Sequence, residues 1–221
     1  WMFWHVPGPL QSSGIISRSG SGGEESLMAD TARAHDVSFP PLTQDQHDGL
    51  RYALGPMVAL ANPLDYHTFI WTDGPRMGQT FAAALKGDVA MGCLIVDFPQ
   101  NDRCDQSAWE CVYEGARRAV ESTGKPLALV ATVPETYSAA VAHRIMSEGM
   151  IPMLGLDDTL EAIATSAALG QPMKDAEPVL LPGEIAHAET VTEAEAKAAL
   201  SEYGLPVPRA VRADRADLAT K

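Results

Sequence analysis

Along the chain, short unbroken apolar runs alternate with longer stretches in which apolar residues recur every three to four positions. These are the patterns of buried strands and of helices with one covered face. After Ser13, "GIIS" is short enough for a strand, Gly20 to Gly23 break it, and "EESLMADTARAHD" reads as an amphipathic helix with Leu27, Ala32 and Ala34 among charges. Glu24 and Glu25 fall in its first turn, where the helix dipole favours acids. "VSFP" from Val37 is a second strand candidate, and "LTQDQHDGLRYAL" follows with Thr43 and Gln46 at capping-box spacing. "PMVALANPLD" predicts another short strand that ends at Asn62-Pro63. "DGPRMGQTFAAALKG" and "SAWECVYEGARRAVESTG" have helical periodicity and close on Gly87 and Gly124. "VAMGCLIVDFP" and "KPLALVATV" are apolar without a period of two, as strands covered on both faces are. "ETYSAAVAHRIMSEG", "MIPML" and "DDTLEAIATSAALG" predict a helix, a strand and a last helix capped by Asp157 or Asp158.

Strand candidates near residues 14, 37, 58, 90, 127 and 151 number five or six, and helical stretches separate them. Each parallel return needs a crossover, so the alternation predicts an α/β fold: a three-layer, flavodoxin-like parallel sheet with helices on both faces. Ligands gather at the carboxyl ends of such strands, which directs attention to the loops after Ser17, Ala61, Val96 and Val130. Residues 1–12 precede the domain as an N-terminal extension, and the domain itself runs over 13–170. Residues 171–190, with three prolines and no sustained period, read as a linker. From 191, Thr192 and Glu195 make a second capping box, a helix runs to Gly204, and "LPVP" resumes as extended chain. This segment, 191–221, is expected to be the opening of a second domain that is incomplete at Lys221.

The net charge of −13 and a sequence pI near 4.7, with Lys and Arg scattered, argue against nucleic acid and anionic membrane surfaces as partners. Acidity leaves room for an anionic ligand, because backbone N–H groups at a helix N-terminus bind phosphate without side-chain charge. No apolar run approaches the roughly 18 to 20 residues that a membrane helix needs. "WMFWHVPGPL" lacks a basic flank and is interrupted by Pro7 and Pro9, so no secretory signal is expected and the expected location is cytoplasmic. Trp1 in first place, with Met second, suggests a processed or truncated sequence. Cys93, Cys104 and Cys111 lack a C-x-x-C pair and read as reduced thiols rather than zinc ligands, with Cys104 and Cys111 two turns apart on one helix face.

The glycine turn is the first candidate for chemistry. Gly20, Gly22 and Gly23 come close to G-x-G-x-x-G, but Glu25 stands where the last glycine belongs, and no G-K-[ST] follows. Ser19, two residues before Ser21, also breaks the G-x-S-x-G elbow. Spacing alone therefore leaves two readings open, a phosphate-binding helix start and a tight corner, and Glu24 and Glu25 would oppose an anion there. "NPLDYHTF" places Asp65, His67 and Thr68 in a post-strand turn, as turn chemistry and caps or as site residues. His67 shows no orienting partner for a catalytic base. Asp97 after a buried strand is a loop cap or a site residue, Glu135 opens a helix, and His143 lies in a helix pattern.

Read together, "GIISRSGSGGEESLMADTARAHD", "NPLDYHT", "LIVDFP" and "GKPLALVATVPETYSAAVAHRIMSEGMIPMLGLDDTLEAIA" resemble, in order and spacing, the acid–CoA ligases that form a nucleoside diphosphate. This family includes ADP-forming acetyl-CoA synthetase and succinyl-CoA synthetase. "VTEAEAKAALSEYGLPVPRAV" is similar to the opening of the family's ATP-grasp domain, so the resemblance covers roughly residues 13–221. It implies a ligase that interconverts acyl-CoA, ADP and phosphate with acid, CoA and ATP through a phosphohistidine held on another domain. It makes Gly20, Ser21, Gly22 and Gly23 the phosphohistidine-facing turn, with Asn62 and Asp65 in the neighbouring loop, and assigns no catalytic residue and no metal ligand to this chain. CoA, ATP and Mg are implied for the complete enzyme, a small carboxylic acid as substrate, and a CoA-binding Rossmann domain and the rest of the ATP-grasp domain as partners. No His here sits in the family's phosphohistidine loop, so the chain alone is expected neither to phosphorylate itself nor to make acyl-CoA. A non-catalytic CoA- or partner-binding module is the alternative. A flavodoxin binding FMN would need a Ser- and Thr-rich phosphate loop that the chain does not show.

Overall fold

Successive residues of a strand point to opposite faces of a sheet, and here both faces are covered. The computed structural model describes residues 2–3, 6, 8–100, 102–171, 183 and 188–209. Among them are five strands: β1 (Ile15–Ser19), β2 (Leu64–Asp65), β3 (Met91–Ile95), β4 (Leu127–Ala131) and β5 (Ile151–Leu154). They lie in the order β2-β1-β3-β4-β5, all parallel, with Ser17, Cys93, Ala128 and Ile151 in one row. On one face α1 (Gly22–Thr31) and α6 (Leu156–Leu169) bring Met28, Leu160 and Ile163 against Ile15, Cys93 and Val130. On the other, α2 (Gln44–Leu54), α3 (Gly74–Leu85), α4 (Glu110–Thr123) and α5 (Ala139–Ser147) bring Leu50, Phe81, Ala116 and Ile145 against Ile16, Leu94 and Leu129. The chain is thus a three-layer, flavodoxin-like α/β sandwich. Met2, Val6 and Leu10 of the N-terminal segment are buried on the α1 and α6 face, and the Leu10 N–H donates to Ser166 Oγ at 3.0 Å.

Local signals account for many boundaries. The Thr43 and Gln46 capping box starts α2, and Asp73 caps α3 by accepting from the Arg76 N–H, with Pro75 in the first turn. α4 stops at Gly124, whose φ of 66° is left-handed. The two predicted strands around residues 37 and 58 do not form. Ser38 makes a single bridge to Gly14, and Pro40 and Pro41 behind it have no N–H for a ladder. The stretch before Asn62 stays irregular because the Asn62 amide occupies the edge of β1: its Oδ1 accepts from the Ser17 N–H at 3.1 Å and its Nδ2 donates to the Ile15 carbonyl at 2.8 Å. A side chain therefore satisfies the groups a strand there would pair with, and β2 begins only at Leu64, after the cis Asn62-Pro63 bond.

Other expectations shift by a few residues. α1 starts at Gly22 rather than Glu24, and its covered side holds Glu25 and Met28 while Leu27 is 52% exposed. α6 is capped by Gly155, which leaves Asp157 and Asp158 inside the first turn. Cys104 is exposed in a loop and Cys111 is buried in α4, so they do not share a helix face. Glu135 lies in a separate 3-10 turn, and Ser138 caps α5.

The chain divides into two compact units, Trp1–Met173 and Lys174–Lys221. In the second, α7 (Glu193–Glu202) starts on the expected capping box of Thr192 and Glu195, and Gly204 follows it with a φ of 82°. Most of the linker expected over 171–190, and residues 210–221, lie outside the described residues. Among the described residues no helix is long and apolar enough to cross a membrane.

Candidate functional site

In a sheet ordered 2-1-3-4-5, the connections leave β1 and β3 toward opposite sides, and the gap between their carboxyl ends is where such folds hold ligands. A cavity of about 200 Å³ opens there. The turn after β1 contributes Gly20, Ser21 and Glu24, the segment after β2 contributes Tyr66, Thr68 and Trp71, and the end of β3 contributes Ile95, Val96 and Asp97 beside Trp109.

The glycine turn is held from beneath. Ser19 Oγ accepts from the Ser21 N–H at 3.1 Å and donates to the Ser21 carbonyl at 2.6 Å, while Ser21, the N-cap of α1, makes no side-chain cap. The first-turn N–H groups of Gly22 and Gly23 thus have no partner within the helix. A Cβ on Gly22 would lie 3.1 Å from Asp65 Oδ2, so the turn and the β2 loop pack closely and a larger side chain there would displace the Asp65 carboxylate. Asp65 also accepts from the His67 backbone N–H at 2.9 Å and stands 3.6 Å from His67 Nδ1, beyond hydrogen-bond distance. The structure brings Gly20, Ser21, Gly22 and Asp65 together. Asn62 sits lower, against the middle of β1, with its amide engaged by main chain.

The two acids of α1 go different ways. Glu24 lines the cavity, and burial, with Asp97 and Asp65 nearby, raises its pKa against the opposing effect of the Ser19 hydroxyl. Glu25 turns inward to 6% exposure. Burial pushes its carboxyl up to about 8; the Ser17 and Ser19 hydroxyls and Arg18 pull it back, yet neither carboxyl oxygen has a hydrogen bond of ordinary geometry. Glu25 is therefore largely neutral at pH 7 and places little negative charge on the helix start. Arg18 is also fully buried without hydrogen bonds, 5.1 Å from the Phe81 ring centroid, and burial lowers its pKa to about 10.

Asp97 is both a cap and a lining residue. It accepts from the Thr132 N–H at 2.8 Å, the Thr132 hydroxyl at 2.5 Å and the Thr136 hydroxyl at 2.6 Å, and its carbonyl accepts from Trp109 Nε1 at 3.0 Å. His67 and Thr72, with φ of 60° and 74°, bracket the loop that carries Thr68 and Trp71. Such left-handed residues cost about 1 to 3 kcal/mol each and persist where packing enforces them. His143 is exposed on α5, away from these groups. Tyr66, Trp71 and Trp109 were not singled out in the sequence. Their signal was two of the chain's four tryptophans in otherwise polar connections, "IWTDG" and "SAWEC".

The cavity has no Lys, Arg or His among its lining residues, and among the described residues no cluster of His, Cys, Asp and Glu fits a metal ion. This lining offers no side-chain cation for the phosphates of ATP or CoA and no ligand set for Mg.

No protein-family profile matches the chain, and no curated protein is significantly similar to it. Solved structures are similar in fold. The crystal structure of PH0766 from Pyrococcus horikoshii OT3 matches with a TM-score of 0.60 at 21% identity, over 75% of this chain and 38% of its own. A dinucleotide-forming acetyl-coenzyme A synthetase of Ca. Korarchaeum cryptofilum matches in its apo form with a TM-score of 0.53 at 17% identity, over 73% of this chain and 33% of its own. The same synthetase in complex with phosphate and ADP gives 0.55 at 16% identity, over 73% and 34%. The likeness is one of fold, and this chain spans 33% to 38% of each protein's length.

Proposed function

We propose that the chain is part of an acid–CoA ligase of the ADP-forming class, which interconverts acyl-CoA, ADP and phosphate with acid, CoA and ATP through a phosphohistidine held on another domain. The observation that carries this reading is the place of Gly20 and Ser21 on a cavity at the β1 and β3 switch point, with Asp65 packed beside them against Gly22, in a fold shared with acetyl-coenzyme A synthetase structures. In this reading residues 13–170 are the flavodoxin-like domain, 171–190 the linker and 191–221 the start of an ATP-grasp domain. CoA, ATP and Mg bind on the partner domains, a CoA-binding Rossmann domain and the remaining ATP-grasp domain, on the same or a separate chain. The Gly22 and Gly23 N–H groups and the α1 dipole face the phosphoryl group. The inward turn of Glu25 favours this role. The alternative, a non-catalytic CoA- or partner-binding module, draws its support from Glu24 and Asp65, which oppose an anion that arrives alone.

The test is the complete enzyme supplied with a panel of carboxylic acids, ATP and CoA, read by mass spectrometry for thioester and by labelled ATP for acid-labile protein phosphate. Thioester and phosphoprotein are expected, and Gly22→Val should lower turnover about tenfold or more at an unchanged thermal transition, because its side chain displaces Asp65 and blocks the helix start. If no acid gives thioester and no protein is phosphorylated, the ligase assignment is wrong.

A further inference from the structure

The walls of the cavity are more specific than a phosphate-facing turn requires. Trp71 and Trp109 stand almost perpendicular, at 82° with ring centroids 5.6 Å apart, and Tyr66, 1% exposed, lines the cavity with them. Trp109 is fixed through its Nε1 to the Asp97 carbonyl. Two carboxylates, Glu24 and Asp97, share the lining, and no basic side chain does.

Each class of small ligand can be weighed against this lining. A free anion meets two acids and no cation. A neutral apolar group would fill the aromatic walls but take water from Glu24 and Asp97 without replacing it, at a cost in free energy. A metal ion would need oxygen ligands, and both Asp97 oxygens are already engaged by threonine donors. An alkylated cation suits the aromatic rings and the two carboxylates, although the N-terminus of α1 opposes its charge. Its charge is spread over methyl groups, it needs no hydrogen-bond acceptors, aromatic faces attract it, and carboxylates stabilise it through space.

We propose that this cavity binds a small alkylated cation of the quaternary ammonium class, and that the cation is carried by the carboxylic acid substrate. The substrate role rests on the ligase reading, whereas binding of the cation does not. A volume of about 200 Å³ restricts the ligand to a compact group of the size of a trimethylammonium head with a short arm.

Paired probes isolate the charge. Glycine betaine and 3,3-dimethylbutanoate have the same shape and differ in a central nitrogen cation against carbon, as do choline and 3,3-dimethylbutan-1-ol. Each is titrated into the full 221-residue chain and followed by calorimetry and tryptophan fluorescence. Each trimethylammonium compound is expected to bind about tenfold tighter than its isostere with carbon in place of nitrogen. Trp109→Leu and Glu24→Gln should each lose about tenfold in cation affinity at an unchanged circular dichroism spectrum, and Trp109→Phe should recover part of the loss. Equal affinity within a pair, no binding of either cation, or well-folded variants that bind as the parent does would each overturn the proposal. Thioester formation by the complete enzyme without cation binding would reject this inference and leave the ligase reading intact. Cation binding without thioester formation from any acid would retain the site and reject the substrate role.

Discussion

Glu24 and Glu25 show how little a residue type says before its direction is known. Both stand in the first turn of α1, where the dipole favours acids, yet one meets the cavity and the other the sheet. The sequence displays the pair and its helix, but whether each acid faces water depends on a helix start two residues earlier than its pattern suggests. The inward acid has a measurable consequence. Glu25 binds its proton more tightly in the folded chain than in the unfolded one, with a pKa near 8 against an ordinary 4.5. Its contribution to stability is complete below about pH 4.5 and is lost as pH rises through 8, by at most about 5 kcal/mol. Arg18, which attracts the carboxylate, and Glu24, which repels it, both face the group, and burial outweighs the two together. Glu25→Gln should therefore be more stable than the parent at pH 8.5 and lack much of the parent's decline between pH 5 and 8.5 in urea unfolding. An identical decline in both proteins would assign it to other groups.

Elements follow the same division between what is local and what is tertiary. Capping boxes, the Gly124 stop and the apolar cores of β3 and β4 depend on neighbours in sequence, and they were legible. The strands expected near Val37 and Val58 had suitable apolar runs, but the Asn62 amide already occupies the β1 edge, a contact that no local pattern encodes. The spacing of α3 and α4 is equally hidden. At Gly115 a Cβ would lie 2.8 Å from Met77 Cβ and 3.2 Å from the Gly78 nitrogen, so this glycine sets how closely the two helices approach. Gly115→Val should destabilise by about 3 kcal/mol or more, since added volume in a packed interface is relieved only by moving a helix. Arg117→Ala on the exposed side of α4 removes a solvent-screened surface pair with Glu121 and should leave stability almost unchanged. Chemical denaturation of the two variants compares them directly; similar losses would mean that the α3 and α4 contact yields more readily than its distances imply.

For the whole molecule, the parallel sheet and its site end were legible because strand and helix alternation is a property of the entire chain, whereas the aromatic walls of the cavity required the folded positions of residues 66, 71 and 109. The same global view separates the parts that fold by themselves from those that do not. Among the described residues, every member of the two hydrophobic clusters lies between Met2 and Ala167, so the first unit contains its own core on both faces of the sheet. In contrast, α7 is ten residues long and has no buried residue, and a helix of that length is marginal in water even with a good cap. A fragment ending at Met173 should therefore unfold in one cooperative transition within about 3 °C of the full chain. The peptide over 174–221 should show little helical signal by circular dichroism. A large fall in the transition temperature of the fragment, or a folded peptide, would show that the described core is not the unit that carries stability.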